Sequence, residues 1–329
     1  MKQYKVAIIG AGSIGANKPE HIDYPNSPNI LTHANAVDRH MACELIAIVD
    51  NDSKQLMKAK EKWNPLVAVG SYNDLVLGHG APDIVILAVP TKYHYETLLQ
   101  IFMTSQLPKL IIAEKPFCET LTEAEEMMSA YNDEGVQIAI DYIRRYATKY
   151  QEIKKQIDNN EFGKVQNARV IYTRGLRHEG CHGIDLMRYF LGEVKFCGGT
   201  KVNSIIDRDE NDPTIYAKFR FEKCPHVTFE PCDGRMYGIF EIDICFENCR
   251  LRFIDNGLQV ERYPINQENE WGHKSLDYGL SNVLRTETGL GTALYNLIDN
   301  CVNFLSGKEE LVCTANDAVA VHKVLDELK

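Results

Sequence analysis

The sequence predicts an α/β protein: first a doubly wound parallel sheet, then an α+β domain with a large, mostly antiparallel open sheet. Three observations predict it. Short apolar runs, continuous rather than alternating, recur through residues 5–140, the pattern of parallel strands buried on both faces. Each run stops at a turn-forming or acidic residue: Gly10, Asp50, Pro90, Glu114 and Asp141. Between residues 214 and 263 the pattern changes to short alternating stretches with turn signals, as in antiparallel strands.

Taken in order, Lys5–Ile9, Leu45–Val49, Ile84–Val89, Leu110–Ala113 and Gln137–Ile140 read as five strands. Thr122–Asn132 reads as a helix capped by Thr120 or Thr122, with Glu123, Glu125 and Glu126 near its positive end. Ala16–Ile30 carries Pro19, Pro25 and Pro28 and cannot be one regular helix. It is expected to be an insertion, forming a lid or rim, before a helix over Leu31–Arg39. Further on, Gln151–Asn159 and Gly183–Leu191 read as helices, the second stopped by Gly192. Val165–Thr173 reads as a strand. The alternating strands are Ile215–Phe221, His226–Glu230, Tyr237–Phe246, Arg250–Ile254 and Leu258–Arg262. Asp233-Gly234 and Asn256-Gly257 mark turns, the second a hairpin signal. Thr292–Leu305 and Asn316–Leu328 are helical again. At 329 residues the chain has two-domain length, divided here into 1–141 for a dinucleotide and 142–329 for substrate and oligomerisation.

Bulk composition narrows the function. The net charge of −10 argues against a nucleic-acid surface or an anionic membrane partner. No apolar stretch approaches the ~18 residues of a membrane span. Lys2 and Lys5 precede only a short apolar run, so no secretory signal is expected and the chain reads as cytoplasmic. The ten cysteines have no regular spacing and are expected to be reduced thiols.

Gly10-Ala11-Gly12-Ser13-Ile14-Gly15 is a G-x-G-x-x-G directly after a strand, the context a dinucleotide turn requires. The first glycine allows the turn, the second lets the backbone approach the pyrophosphate, and the third permits close helix–strand packing. Asp50 ends the second strand, where an acid can bond both ribose hydroxyls and repel a 2′-phosphate, favouring NAD over NADP. It lies further from Gly10 than the usual ~20 residues, and the insertion accounts for the excess.

The chain resembles the Gfo/Idh/MocA family of glucose–fructose and inositol dehydrogenase-like oxidoreductases. Four motifs carry the resemblance: the glycine turn with Asp50; Ala88-Val89-Pro90-Thr91 with His94; Glu114-Lys115-Pro116; and Gly180-Cys181-His182-Gly183-Ile184-Asp185-Leu186 followed by Tyr189-Phe190-Leu191-Gly192. The resemblance implies that Pro90, Thr91 and His94 flank the nicotinamide half of the cofactor, and that Lys115 stands beside nicotinamide and substrate. Tyr142-Ile143-Arg144-Arg145-Tyr146 resembles the family's crossover segment, with Ile143 in place of the common Asn. The family's Asp-x-x-x-His-x-x-Asp pattern is altered, because His178 stands where the first Asp is usual.

Oxidising a secondary alcohol needs a base for the proton and a cation for the developing alkoxide. His182 is the base candidate and Lys115 the cation. Asp185, three residues past His182, shares its helix face and is placed to orient the imidazole or bind a hydroxyl. Arg144, Arg174, Arg177 and His178 are candidate contacts, the arginines for an anionic group. His178 and His182 have a spacing that can bind zinc on a helix, and Cys232, Cys245 and Cys249 invite the same thought. The segments do not favour it, and no metal is expected. Trp271 and Tyr278 either wall a sugar site or pack in a core. The expected activity is hydride transfer between NAD and a hydroxyl or carbonyl of a sugar, polyol or sugar derivative, by a homodimer or homotetramer. The alternatives are an NAD-retaining lyase or glycoside-cleaving enzyme and a non-catalytic dinucleotide sensor.

Overall fold

The structure, a computed structural model, describes residues 4–104, 106–202, 205, 212–279 and 282–328. The chain forms two compact units. The first comprises Met1–Tyr146 and Gly291–His322, the second Ala147–Leu290 and Lys323–Lys329. The first unit is thus larger than residues 1–141, because the stretch 291–322 returns to it.

In the first unit six parallel strands are β1 (Tyr4–Ile9), β2 (Cys43–Val49), β3 (Val67–Val69), β4 (Ile84–Leu87), β5 (Leu110–Ala113) and β6 (Gln137–Ile140). Their spatial order is β3-β2-β1-β4-β5-β6, the doubly wound arrangement with its switch between β1 and β4. All side chains of β4 and β5 are buried, which is why these strands are continuous apolar runs. The helices are α1 (His33–Arg39), α2 (Ser53–Trp63), α3 (Tyr72–His79), α4 (His94–Phe102) and α5 (Leu121–Asp133). Thr120 caps α5 in a reciprocal box with Glu123. The returning helix α8 (Ala293–Leu305) buries Leu294, Leu297, Ile298 and Cys301. It is fastened by Asp299 to His40 at 3.2 Å and by the Asn296 amide, which donates to the Tyr146 carbonyl at 2.8 Å.

In the second unit α6 (Thr148–Asp158) and α7 (Cys181–Leu191) accompany a sheet ordered β14-β13-β12-β11-β7-β10-β9-β8. Its strands are β7 (Val165–Tyr172), β8 (Val194–Lys201), β9 (Ile215–Phe221), β10 (Cys224–Pro231), β11 (Phe240–Phe246), β12 (Cys249–Ile254), β13 (Gln259–Pro264) and β14 (Leu284–Glu287). Neighbours run antiparallel except β7 and β10, which pair in parallel. Along β11, Phe240, Ile242, Ile244 and Phe246 are buried while Glu241, Asp243 and Cys245 lie half-buried on the other face. Tyr150 of α6 stacks on Phe253 of β12 at 4.7 Å, and Phe190 of α7 stacks on Phe253 at 5.9 Å, joining both helices to one sheet face. Asn256-Gly257 does close a hairpin, through left-handed backbone at Asp255, Asn256 and Gly257. The last helix, α9, spans Ala315–Glu327. Among the described residues no helix is long and apolar enough to cross a membrane.

Candidate cofactor cleft and catalytic residues

The C-terminal edge of the first unit's sheet carries a cleft of about 460 Å³ lined by Gly10, Gly12, Asp50, Ser71, Ala88 and Pro90, among others. Its position follows from topology, since strand ends on either side of the switch leave a crevice. Each glycine of the turn has its own reason. Gly10 has φ +105°, and a Cβ there would lie 2.5 Å from the Ala88 carbonyl oxygen. A Cβ on Gly15 would lie 1.9 Å from the Gly10 oxygen, so the turn could not close. A Cβ on Gly12 would meet nothing within 4 Å, so its missing side chain leaves open space rather than relieving contact inside the protein. Ser13 is exposed and Ile14 half-buried. Asp50 accepts a hydrogen bond from the Ala11 N–H at 2.7 Å through Oδ2, and from the Asp52 N–H at 2.8 Å through Oδ1. It therefore holds the turn, while each oxygen keeps a second lone pair. These features fit a dinucleotide: a cradle that a Cβ would fill, open space at the middle glycine, and an acid at the end of β2.

The insertion leaves from this turn and returns to it. Ala16 and Asn17 N–H both bond the Gly12 carbonyl at 2.9 Å. At the far end His33 N–H bonds the Ile14 carbonyl at 3.0 Å and Ala34 N–H bonds the Gly15 carbonyl at 2.9 Å. Helix α1 thus starts on the carbonyls of the glycine turn, and residues 16–32 are looped out of its first turn. Asp23, fully buried, organises the loop: it accepts from Leu31 N–H (3.0 Å), the Thr32 hydroxyl (2.8 Å) and the Asn35 amide (2.8 Å), with the Lys62 ammonium at 3.7 Å. Trp63 adds a hydrogen bond from its indole N–H to the Ala16 carbonyl at 2.8 Å. The insertion is pinned at both ends and in its middle.

On the other side of the switch, Pro90 is exposed and Thr91 half-buried. His94 is fully buried, its Nε2 2.8 Å from the Val89 carbonyl and its Nδ1 3.0 Å from the Phe117 carbonyl. It ties the loop after β4 to the loop after β5. Burial pushes its imidazole below the ordinary value, against the pull of those two carbonyls. Lys115 is half-buried and precedes a cis proline, Pro116. Glu114 and Asp141 each stand one residue beyond a strand, and β5 and β6 pair Ala113 with Ile140. His33 from α1 meets them: Nε2 lies 2.9 Å from Glu114 Oε1 and 3.7 Å from Asp141 Oδ2. One ligand-type atom from each of the three residues lies within 4.8 Å of the others. Burial, then the neighbouring Glu114 charge, hold Asp141 well above the usual carboxylate range, with Lys115 opposing. Burial opposes ionisation of Glu114 too, yet its hydrogen bond and charge contact with His33, helped by Lys115, keep it below its ordinary value. Sequence reasoning missed His33 and the pairing of Asp141; the acid at the end of β6 was the available signal.

Arg144 is buried in the first unit, beside Arg145, whose Nη1 lies 3.1 Å from Asp317. In the second unit, one π-helical turn, Leu176–Gly180, leads directly into α7. The helix therefore starts two residues before Gly183, and His178 and His182 are separated by a π turn, not by regular α geometry. His182 and Asp185 are both buried on α7, at 8% and 2% exposure; the His182 ring meets Phe240 edge-on at 6.3 Å. His178 is exposed. The start of the π turn is held by Asp212, another residue the sequence did not mark: it accepts from Arg177 N–H at 2.6 Å and His178 N–H at 2.9 Å. Gly175, at φ +86°, makes room for it, since a Cβ there would fall 2.2 Å from the Asp212 carboxylate. Arg174 is exposed, 3.8 Å from Glu179, and Arg177 pairs with Asp326 at 3.2 Å. Trp271 and Tyr278 are exposed by 73% and 59%, so neither is core.

Residues 4–142 match the model of the oxidoreductase family with an NAD-binding Rossmann fold, GFO_IDH_MocA. That stretch is similar to the NAD-binding Rossmann domain of the Gfo/Idh/MocA oxidoreductases. A curated relative, D-glucoside 3-dehydrogenase of Escherichia coli K12, is 30% identical over 179 residues, 54% of this chain and 45% of that protein. Inositol 2-dehydrogenase of Corynebacterium glutamicum is 25% identical over 174 residues, 52% of this chain and 46% of that protein. The chain thus spans about half the length of the curated relatives it matches. Likeness of fold reaches further along the chain: the WlbA dehydrogenase of Bordetella pertussis, solved with NADH and UDP-GlcNAcA, superposes with a TM-score of 0.73 at 17% identity, covering 99% of this chain and 95% of the other.

Proposed function

We propose that this chain is an NAD-dependent oxidoreductase acting on a hydroxyl or carbonyl group of a sugar, polyol or sugar derivative. The observation that carries the reading is the single cleft uniting the glycine turn, Asp50 and Pro90 at the switch of an NAD-binding fold. The names of the relatives, dehydrogenases of glucosides and inositol, support the substrate class. Residues 1–141 take the cofactor and 142–329 the substrate and the oligomer contact.

Gly10, Gly12, Ser13, Ile14 and Gly15 hold the pyrophosphate, and Asp50 the adenosine ribose. Pro90 and Thr91 border the nicotinamide. His94 sits behind the two neighbouring loops, its ring nitrogens against the Val89 and Phe117 carbonyls, to one of which the neutral ring donates. NAD, when bound, supplies the two-electron acceptor or donor. The protein's own part is proton and charge management. The His182 imidazole takes the hydroxyl proton, Asp185 orients that ring, and the Lys115 ammonium stabilises the developing alkoxide. The same groups run the reverse direction with the proton returned. Arg144 and His178 are proposed substrate contacts. The half-polar face of the eight-stranded sheet, with Arg169, Asp243, Cys245 and Arg250 around one shallow depression, is the proposed surface for a homodimer or homotetramer, which light scattering measures.

The test is NAD reduction followed by absorbance across glucosides, inositols and acidic nucleotide sugars. Lys115→Ala and His182→Ala should each lower kcat/KM by at least about a hundredfold. Full activity of Lys115→Ala would overturn the catalytic assignment and favour the sensing alternative. Turnover without net NADH would favour the cofactor-retaining lyase.

A further inference from the structure

Between β13 and β14 the chain leaves the second unit's sheet as a two-stranded arm. Asp277 N–H bonds the Pro264 carbonyl and Asn266 N–H the Ser275 carbonyl, both at 2.8 Å, and Ile265 is bridged to Leu276. Asn269 closes the tip: its side-chain oxygen accepts from Trp271 N–H at 3.0 Å and His273 N–H at 2.9 Å. The arm is built, yet every residue from 266 to 275 is exposed, Trp271 by 73%. A two-stranded hairpin is marginal in water by itself, and an indole presented on one calls for a surface to cover it.

The foot of the arm stands on the sheet face away from α6 and α7. Tyr278 packs on Tyr263 at 5.3 Å and accepts from Arg250 Nη1 at 3.4 Å; Arg250 also donates to Asp243 at 2.8 Å. Toward β9, β10 and β7 this open face carries Lys218, Arg220, His226 and Arg169 against Glu230. A depression of about 390 Å³ lies among Arg169, His226, Thr228 and Asp243. Arg169 reaches its acids, Glu230 and Asp243, only at 3.7 Å, and its side chain is 44% exposed. The tip of the arm has the opposite sign, since Glu268 and Glu270 lead into Trp271. Lys274 stands further back, beside Cys245 and Arg250 at the foot. A guanidinium offers an indole a cation–π partner. Two copies stacked open face to open face, about a two-fold axis along the strands, bring the β13–β14 edge of each over the β9–β10 side of the other. Acidic tip then meets basic face, twice.

We propose that the arm of residues 264–277 docks on the open sheet face of a second copy of this chain, with Trp271 seated in the depression beside Arg169. Glu268 and Glu270 lie over the partner's basic side and set the orientation; Trp271 supplies the buried apolar area. The proposal rests on the reading of this face as the oligomer surface and deepens it, by naming the segment that makes the contact.

The test uses the full chain and needs no substrate. Sedimentation velocity over a dilution series gives the dissociation constant for self-association. Trp271→Ser should raise that constant about tenfold or more, as loss of a central aromatic anchor does. The pair Glu268→Lys and Glu270→Lys should raise it by a similar factor at low salt and by less at high salt. Iodide quenching of the wild-type chain gives a second reading that needs no variant. Trp63 is buried, so Trp271 is the tryptophan that iodide can reach. Its emission should be shielded in the associated form and become quenchable on dilution to the monomer. Association that survives Trp271→Ser unchanged, or a Trp271 equally quenchable in both forms, overturns the arm and leaves the oligomer reading standing. A Trp271 shielded in the monomer means that the arm lies on its own chain, and the proposal falls. A chain that stays monomeric at every concentration overturns both the arm and the oligomer reading.

Discussion

Replacing Asp23 with alanine tests whether the insertion is a built part of the first unit. The side chain is fully buried and takes three hydrogen bonds. Asn35 would keep other acceptors, the Ser27 hydroxyl at 3.0 Å and the Tyr24 carbonyl at 3.3 Å. Lys62 would keep the Lys18 carbonyl at 3.1 Å. That leaves Leu31 N–H and the Thr32 hydroxyl without their acceptor. Each such orphan costs about 1–3 kcal/mol, so Asp23→Ala should destabilise the unit by about 3–5 kcal/mol. For a unit of this size the midpoint temperature should fall by roughly 6–20 °C. Asp23→Asn keeps an acceptor and should cost about half as much. The assay is urea unfolding by tryptophan fluorescence in a Trp271→Phe background. The chain has two tryptophans, so buried Trp63, which bonds the insertion at Ala16, becomes the sole reporter. A loss below about 1 kcal/mol for Asp23→Ala, or equal losses for Ala and Asn, would show that the carboxylate does not organise the loop.

Three further outcomes follow from the cleft. Gly12→Ala, whose Cβ meets nothing within 4 Å, should leave the melting temperature unchanged while weakening NAD binding at least tenfold by calorimetry. Gly10→Ala, with its Cβ 2.5 Å from a backbone oxygen at φ +105°, should instead lose about 2 kcal/mol or more of stability. Asp50→Ser should narrow the preference for NAD over NADP by at least tenfold in competition binding, because the repelling charge is gone. His94 binds its proton less readily folded than unfolded, since burial lowers its imidazole. As pH falls below the ordinary value near 6.5 the unfolded chain gains a proton first, so stability falls, by at most ~1.4 kcal/mol per pH unit from this residue. Urea midpoints from pH 7.5 to 5 should decline less steeply in His94→Gln than in the parent.

Much of the fold was legible because its strands obey simple burial rules. Leu110–Ala113 and Gln137–Ile140 were read to the residue, each being an apolar run closed by an acid. β3 was invisible, since three half-buried residues carry no periodicity. β8 was missed for a similar reason: Val194–Lys201 has two glycines and no buried side chain. The glycine turn could be read because its spacing directly follows a strand; Gly10 and Gly15 each answer a local steric demand, and Gly12 leaves open space. His94 was legible as a motif member but not in its role, which depends on two carbonyls brought together by separate strands. His33 and Asp23 were out of reach altogether: their partners lie across the sheet edge or within the insertion, and nothing in local pattern announces a contact between residues 33, 114 and 141. Helix α8 was read as helix, but periodicity does not say which unit a helix joins.

The way α1 starts on the Ile14 and Gly15 carbonyls has a consequence for how such chains are recognised. Distance along the chain is a poor ruler for a nucleotide fold, because a side branch can be spliced into the opening coil of the phosphate helix without moving the strand before it or the acid after it. A pattern search demanding fixed spacing between the glycines and the acid at the end of β2 would discard this molecule. One that follows strand ends would retain it and mark residues 16–32 as a natural graft point for new sequence.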